Sequence, residues 1–132
     1  MAGQLLYLDS SAIVKLVVAE PETKALRELL RSWPERVSSV VALIEVERVA
    51  KRIDGGAVRR ARSVLSRIAL VDLDELVVRV AAALDPPELR ALDAIHLATA
   101  LSLGGDLGAL CAYDARLAAA AASAVNVVAA PS

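Results

Sequence analysis

The sequence predicts an α/β fold in which a mostly parallel sheet is covered by helices on both faces. Short apolar runs that suit strands alternate along the chain with longer helical patterns, the order expected of strand–helix–strand units. The first run, residues 5–8, is continuously apolar, which is typical of a strand buried on both faces. Asp9-Ser10-Ser11 follows it directly, and these residue types cap helices.

Five segments have the length and composition of short strands. Each is a short run of residues that precedes a helical pattern or follows one, as the alternation requires. The second segment has the weakest strand signal of the five. The predicted strands are residues 5–8, 36–38, 69–72, 109–112 and 125–128.

Helices are predicted where apolar residues recur at three- and four-residue spacing between capping and breaking residues. The breaks are proline, glycine and aspartate clusters, at Pro21, Trp33-Pro34, Asp54-Gly55-Gly56, Asp85-Pro86-Pro87 and Gly104-Gly105. The predicted helices cover residues 12–17, 22–31, 40–53, 57–68, 75–84, 92–103 and 115–122.

The composition predicts a single domain over residues 1–132 with a core of aliphatic side chains. Hydrophobic residues make up 57% of the chain but phenylalanine is absent, so Ala, Val and Leu must fill the core. No apolar run approaches the roughly 20 residues that span a bilayer, and the N-terminus lacks the pattern of a secretion signal. We therefore expect a cytoplasmic protein with no membrane partner. The single cysteine, Cys111, has no second thiol for a disulfide or a zinc site.

Three aspartates occupy comparable positions at the boundaries of the predicted elements. Asp9 and Asp114 each follow a short strand and precede a helix, and Asp93 lies at the start of a helix. An aspartate there stabilises its own helix by about 0.3–1 kcal/mol, which is the simplest explanation of each one taken alone. The carboxyl ends of parallel strands share one edge of a sheet, and ligands bind outside that edge. The repeated arrangement therefore favours a common acidic site.

A fourth acid is expected from the helix predicted over residues 40–53. Glu45 has apolar residues at its helical neighbour positions, so its carboxylate emerges from a partly apolar surface where an idle charge would be costly. Glu47 has nearly the same surroundings. The pattern alone prefers Glu45 only slightly and leaves both candidates open.

Several carboxylates at one sheet edge suit a hard divalent cation. Clustered acids repel one another, and Mg²⁺ or Mn²⁺, which take oxygen ligands, removes that repulsion. A cation held in this way lowers the pKa of a bound water and offsets the charge that develops on a phosphate during in-line displacement. Hydrolysis of a phosphodiester is the expected chemistry.

Other hydrolytic chemistries lack residues that they need. A serine triad requires a histidine, and the single histidine, His96, lies one helical turn after Asp93, where we expect it to pack or to hydrogen-bond locally. No glycine-rich phosphate loop is present. A phosphatase with an aspartyl nucleophile usually has a second acid where this chain has Ser11. The Ser11 hydroxyl could orient a carboxylate or a metal-bound water, or it could simply cap the helix.

Basic residues are concentrated in the middle of the chain, although the net charge of the whole chain is −1. Arg59, Arg60 and Arg62 fall on one predicted helix. Such a helix is either a phosphate-binding face or a solvated one, and the sequence leaves the two open.

Four motifs surround the acids described above: YLDSSAIVKL at residues 7–16, Ser38-Ser39 with EVER at residues 45–48, LDAIHLATA at residues 92–100, and YDARL at residues 113–117. In order and spacing they resemble the PIN domain, and within that family they look most like the VapC-type ribonuclease toxins of prokaryotic toxin–antitoxin pairs. Each motif is weak alone, but four in the right order are specific, and together they cover nearly the whole chain.

The resemblance implies a PIN-like three-layer sandwich with a parallel five-stranded sheet, a homodimer, and endoribonuclease activity that depends on Mg²⁺ or Mn²⁺. The family's four catalytic acids correspond to Asp9, Glu45, Asp93 and Asp114, and this correspondence favours Glu45 over Glu47. Asp9 and Asp93 would hold the ion, while the other two acids would hold a second ion or order the attacking water.

Two positions near these acids bear on the resemblance. Ser11 matches the hydroxyl that commonly follows the first acid. Many members have Thr or Ser two residues before the fourth acid, where this chain has Ala112. The missing hydroxyl leaves open whether Asp114 binds the ion directly.

The leading hypothesis is a metal-dependent endoribonuclease that is inhibited by a cognate VapB-type antitoxin and binds RNA phosphates along the helix that carries Arg59, Arg60 and Arg62. The alternative is a non-catalytic PIN-like module that binds RNA or a protein, but such a module has no need to keep all four acids. Hydrolysis of DNA or of a flap structure is disfavoured by the small size and the lack of an arch-like insertion.

Overall fold

The computed structural model describes residues 2–132 and contains one parallel five-stranded sheet. The strand order is β3-β2-β1-β4-β5, with β1 at the centre and every pairing parallel. The strands are β1 (Leu5–Leu8), β2 (Arg36–Ser39), β3 (Ala69–Val71), β4 (Leu107–Cys111) and β5 (Val128–Ala129). The predicted α/β class and the five-stranded parallel sheet are confirmed.

Seven α-helices are present in the described residues. They are α1 (Ser10–Val17), α2 (Thr23–Arg31), α3 (Val41–Lys51), α4 (Gly55–Leu65), α5 (Glu75–Ala83), α6 (Ala91–Ser102) and α7 (Ala115–Ala122), with a short 3₁₀ turn at Gly104–Asp106. None of them, within residues 2–132, is long and apolar enough to cross a membrane.

The central strand divides the apolar core into two layers, one on each face of the sheet. Leu6 and Leu8 point into a core formed with α1 to α4, whereas Tyr7 points into a second core formed with α6 and α7. The alternation follows from the two-residue period of a strand. All three side chains are fully buried, which explains why β1 is apolar at consecutive positions.

Several predicted boundaries differ from the observed ones by one to three residues, and two of these differences have a clear local reason. The break predicted at Gly55-Gly56 is instead the first turn of α4, because the Asp54 carboxylate accepts a hydrogen bond from the Ala57 N–H at 2.7 Å and caps the helix. The last strand begins at Val128 rather than at residue 125, because the Val125 N–H still bonds to the Ala121 carbonyl at the end of α7.

Candidate active site

The carboxyl edge of the sheet brings together the ends of its two central strands. The end of β1 lies beside the end of β4, with Leu8 opposite Cys111, and the Asp9 N–H donates to the Cys111 carbonyl at 3.1 Å. Asp9 directly follows β1, and Asp114 follows β4 after a short loop. The parallel topology therefore places both aspartates at one edge, as the sequence predicted.

Asp9 is a buried carboxylate at the start of α1. Its side chain is only 3% exposed, it accepts the Ala12 N–H at 2.9 Å, and the Ser11 hydroxyl lies 2.7 and 2.8 Å from its two oxygens. Burial raises the pKa of Asp9 from 3.8 to about 6, because desolvation outweighs the hydrogen bonds that stabilise the charged form. Without a bound cation, the ionised Asp9 carboxylate therefore lowers the stability of the folded protein.

Ser11 links the first acid to the loop that carries the fourth. Its hydroxyl donates to Asp9 and accepts the Tyr113 N–H at 2.9 Å. The neighbouring Asp114 caps α7 by accepting the Leu117 N–H at 2.9 Å. The sequence left open whether the Ser11 hydroxyl orients a polar group of the site or caps α1. In the structure it orients the Asp9 carboxylate, and Asp9 itself is the cap of α1.

Asp93 lies in the first turn of α6 and is half-buried. Burial raises its pKa, and the charges of Asp114 and Glu45 raise it further. The charge of Asp93 in turn raises the pKa of Asp9. Asp93 is therefore the acid whose pKa responds to both Asp114 and Glu45 and whose charge in turn acts on Asp9.

Glu45 belongs to a buried hydrogen-bond network on the same side of the sheet edge. Its Oε1 accepts the Ser10 hydroxyl at 2.6 Å and lies 2.8 Å from His96 Nε2, while the other ring nitrogen, Nδ1, lies 2.7 Å from the Tyr7 hydroxyl. Burial would raise the pKa of Glu45, but the hydrogen bonds from His96 and Ser10 prevail and lower it.

Glu47 lies on a different side of α3 and has a different partner. Two residues along a helix correspond to a rotation of about 200°, so Glu45 and Glu47 cannot both face the cleft. Glu47 Oε1 pairs with Arg62 Nε at 3.1 Å, at the surface. The structure thus separates two glutamates that the sequence pattern left nearly equivalent.

The four acids converge, but they do not form one tight cage. Within residues 2–132, no three His, Cys, Asp or Glu side chains lie close enough together to bind one ion jointly. Mg²⁺ is usually held by one or two carboxylates and keeps several waters. Two neighbouring carboxylates with raised pKa values, those of Asp9 and Asp93, therefore match the donor set that such a cation needs.

The arginines of α4 make contacts with the protein's own surface. Arg60 Nε donates to the Val17 carbonyl at 3.2 Å, at the end of α1 opposite to Asp9, which is roughly 12 Å along the helix at 1.5 Å per residue. Arg62 is engaged by Glu47, and Arg59 is exposed. The structure does not bring these side chains to the carboxylates.

Ser10 and Tyr7 complete the network around Glu45, and no sequence pattern had marked either as a site residue. His96 packs in the interior, which is one of the two expected outcomes, but its hydrogen bonds are not local, because Nε2 contacts Glu45, 51 residues away in the chain. The sequence did contain one sign that His96 lies near the site: it is three residues after Asp93, so the two side chains share a face of α6.

The chain matches the PIN domain family over residues 6–123, and its fold and acidic sheet edge fit that match. The chain therefore belongs to the PIN-domain family. Ribonuclease VapC46 of Mycobacterium tuberculosis is 50% identical to it over 127 residues, which cover 96% of this chain and 98% of that protein. The resemblance to VapC-type ribonucleases is confirmed.

Two solved structures share the fold at low sequence identity. A chain of a toxin–antitoxin complex from Klebsiella pneumoniae superposes with a TM-score of 0.75 at 22% identity, covering 96% of this chain and 98% of that one. VapC20 of Mycobacterium tuberculosis, a toxin that cleaves the sarcin–ricin loop, superposes with a TM-score of 0.71 at 18% identity, covering 87% and 94%.

The raised pKa of Asp9 predicts how stability without metal depends on pH. Between the pKa of Asp9 in the unfolded chain, about 3.9, and its pKa in the folded protein, about 6, the folded state holds an extra proton. The contribution of Asp9 to the free energy of unfolding is therefore highest below about pH 4 and falls as the pH rises through 6. Asp9→Asn removes the effect. In urea titrations with EDTA, the variant should gain up to about 3 kcal/mol of unfolding free energy relative to the parent between about pH 4 and about pH 7. A difference that does not change with pH would contradict the burial argument.

Proposed function

We propose that this protein is a metal-dependent endoribonuclease of the VapC type, which hydrolyses RNA phosphodiester bonds and is inhibited by a cognate VapB-type antitoxin. One observation carries the proposal: four acids from separate elements, Asp9, Glu45, Asp93 and Asp114, interact electrostatically at the carboxyl edge of a PIN-family sheet. The 50% identity to Ribonuclease VapC46 along nearly the whole chain supports the same activity.

The proposed cofactor is Mg²⁺ or Mn²⁺, held by Asp9 and Asp93. A cation bound there would supply a water of lowered pKa and offset the charge on the phosphate in the transition state. Ser11 would keep the Asp9 carboxylate in one orientation through its hydroxyl. Glu45 and Asp114 would hold a second ion or order the attacking water. The direct or water-mediated role of Asp114 stays open because Ala112 supplies no hydroxyl beside it.

The proposed partners are RNA, a VapB-type antitoxin and a second copy of the chain. A solved structure with the same fold comes from a toxin–antitoxin complex. Exposed apolar side chains, such as Ile44 at 62% and Leu76 at 67%, offer surface that a partner helix or a second copy would cover. The RNA substrate is the basis for proposing that the protein acts in the cytoplasm.

Asp93→Asn should abolish cleavage of RNA, because losing the charge weakens the binding of the ion that activates water. The assay incubates a labelled RNA pool with purified protein in Mg²⁺ and resolves the fragments on a gel. Asp106→Asn is the matched control, since Asp106 is exposed in the 3₁₀ turn away from the other acids. Full cleavage by Asp93→Asn would remove Asp93 from the mechanism.

Replacing Arg59, Arg60 and Arg62 jointly with Ala should weaken RNA binding and flatten its salt dependence, by up to about one unit of log–log slope per lost phosphate contact. Binding is measured by fluorescence anisotropy in the Asp93→Asn background, so that the RNA stays intact. Arg79→Ala, which removes an exposed arginine paired with Glu75, is the control. An unchanged slope would mean that the arginines of α4 do not contact RNA. Arg90 and Arg116, which lie near Asp93 and Asp114 in the sequence, would then be the next candidates for phosphate contacts.

Expression of this chain alone should arrest growth, because an antitoxin-controlled ribonuclease is harmful without its inhibitor. Colony counts after induction measure the arrest. Asp93→Asn should relieve it, as should co-expression of a cognate VapB-type antitoxin. Good growth with abundant, active enzyme would count against the antitoxin, though not against the ribonuclease.

A further inference from the structure

His96 is the single histidine of the chain, and it is buried among three polar side chains, those of Tyr7, Ser10 and Glu45. It is 2% exposed, with Nδ1 2.7 Å from the Tyr7 hydroxyl and Nε2 2.8 Å from Glu45 Oε1. We propose that His96 is a positioning residue for Glu45, held by Tyr7 in the tautomer that carries its proton on Nε2. The proposal rests on the proposed ribonuclease function, in which Glu45 acts at the acidic site.

The tautomer follows from Tyr7 and Glu45, because the Ser10 hydroxyl, 3.0 Å from Nε2, already donates its hydrogen to Glu45. Tyr7 is fully buried, and a buried phenol hydroxyl needs an acceptor for its hydrogen. His96 Nδ1 is the acceptor in reach. An ionised carboxylate can only accept hydrogen bonds, so Glu45 requires the proton on Nε2. Both ends of the network therefore select the same tautomer.

The network fixes one oxygen of Glu45 and leaves the other available. Oε1 receives the Ser10 hydroxyl at 2.6 Å as well as the imidazole N–H. Among the hydrogen bonds within residues 2–132, none reaches Oε2. The charge of Glu45 is nevertheless felt by Asp93, whose pKa it raises. One oxygen is thus anchored, and the other remains for a water or an ion.

The contacts join four separate elements at the sheet edge. Tyr7 lies in β1, Ser10 in α1, Glu45 in α3 and His96 in α6. A histidine that only filled the core could leave Nε2 to a backbone carbonyl of its own helix. Here Nε2 instead meets a carboxylate of α3, and such partners of functional carboxylates typically change affinity or activity by about 10- to 100-fold when mutated.

The tautomer can be measured directly, because one histidine gives one set of ring ¹⁵N signals. At mildly alkaline pH, the long-range ¹H–¹⁵N spectrum of the wild-type protein should show a neutral ring protonated at Nε2. Tyr7→Phe removes the donor to Nδ1 and should give a mixture of tautomers. A wild-type ring protonated at Nδ1, alone or together with Nε2, would overturn the proposal whether or not the protein cleaves RNA.

Two variants at position 96 separate positioning from packing. The Gln amide reaches the place of Nε2, whereas the Asn amide reaches only that of Nδ1, so His96→Gln keeps the donor to Glu45 and His96→Asn loses it. At saturating Mg²⁺, His96→Asn should lower kcat by about 10- to 100-fold with KM changed by less than about twofold. His96→Gln should recover most of kcat.

Thermal melts of both variants test whether they fold. Equal losses of kcat in the two variants, or a loss in neither, would overturn the positioning role. Ser10→Ala provides a second test if His96→Asn is unstable: it removes the other donor to Oε1 and should also lower kcat with little change in KM, and an unchanged kcat would count against the network. A wild-type protein without any cleavage would instead contradict the proposed function, and the ¹⁵N measurement would still decide the tautomer.

Discussion

The buried carboxylate of Asp9 is the constraint on which the rest of the site depends. It stands at the end of the central strand, where it caps α1 and receives the Ser11 hydroxyl. Hydrogen bonds reduce the cost of burying its charge but do not remove it, so its pKa stays raised, at about 6. A cation offers the compensation that the protein's own groups leave incomplete.

The surroundings of Asp9 connect it to two of the other acids of the site, Asp93 and Asp114. Ser11 reaches the loop before Asp114, the charge of Asp93 raises the pKa of Asp9, and the charges of Asp114 and Glu45 raise the pKa of Asp93. The parallel sheet brings these residues together, because each strand ends at the same edge and the helix that follows it begins there. Small side chains such as Ala12, Ala98 and Ala112 are buried and let the helices approach the sheet closely.

Local sequence patterns predicted the parts of this molecule that depend on local physics. The buried strand at Leu5–Leu8 and the aspartates after β1 and β4 follow from apolar runs and capping residues, and the structure has both. The last strand was misplaced because the Val125 N–H bonds to the Ala121 carbonyl in the turn that follows α7, a local hydrogen bond that β propensity does not include. Glu45 and Glu47 could not be separated by pattern, because their distinction lies in distant partners, His96 and Arg62.

In the proposed mechanism, the carboxylates of Asp9 and Asp93 share a divalent cation at the carboxyl edge of the sheet. Diffraction from crystals grown with Mn²⁺, using the anomalous signal of the metal, tests this site. We expect an anomalous peak in direct contact with both carboxylates, which is lost in crystals of Asp93→Asn. Well-ordered crystals in saturating Mn²⁺ with no peak at this edge, or with a peak that persists in the variant, would contradict it.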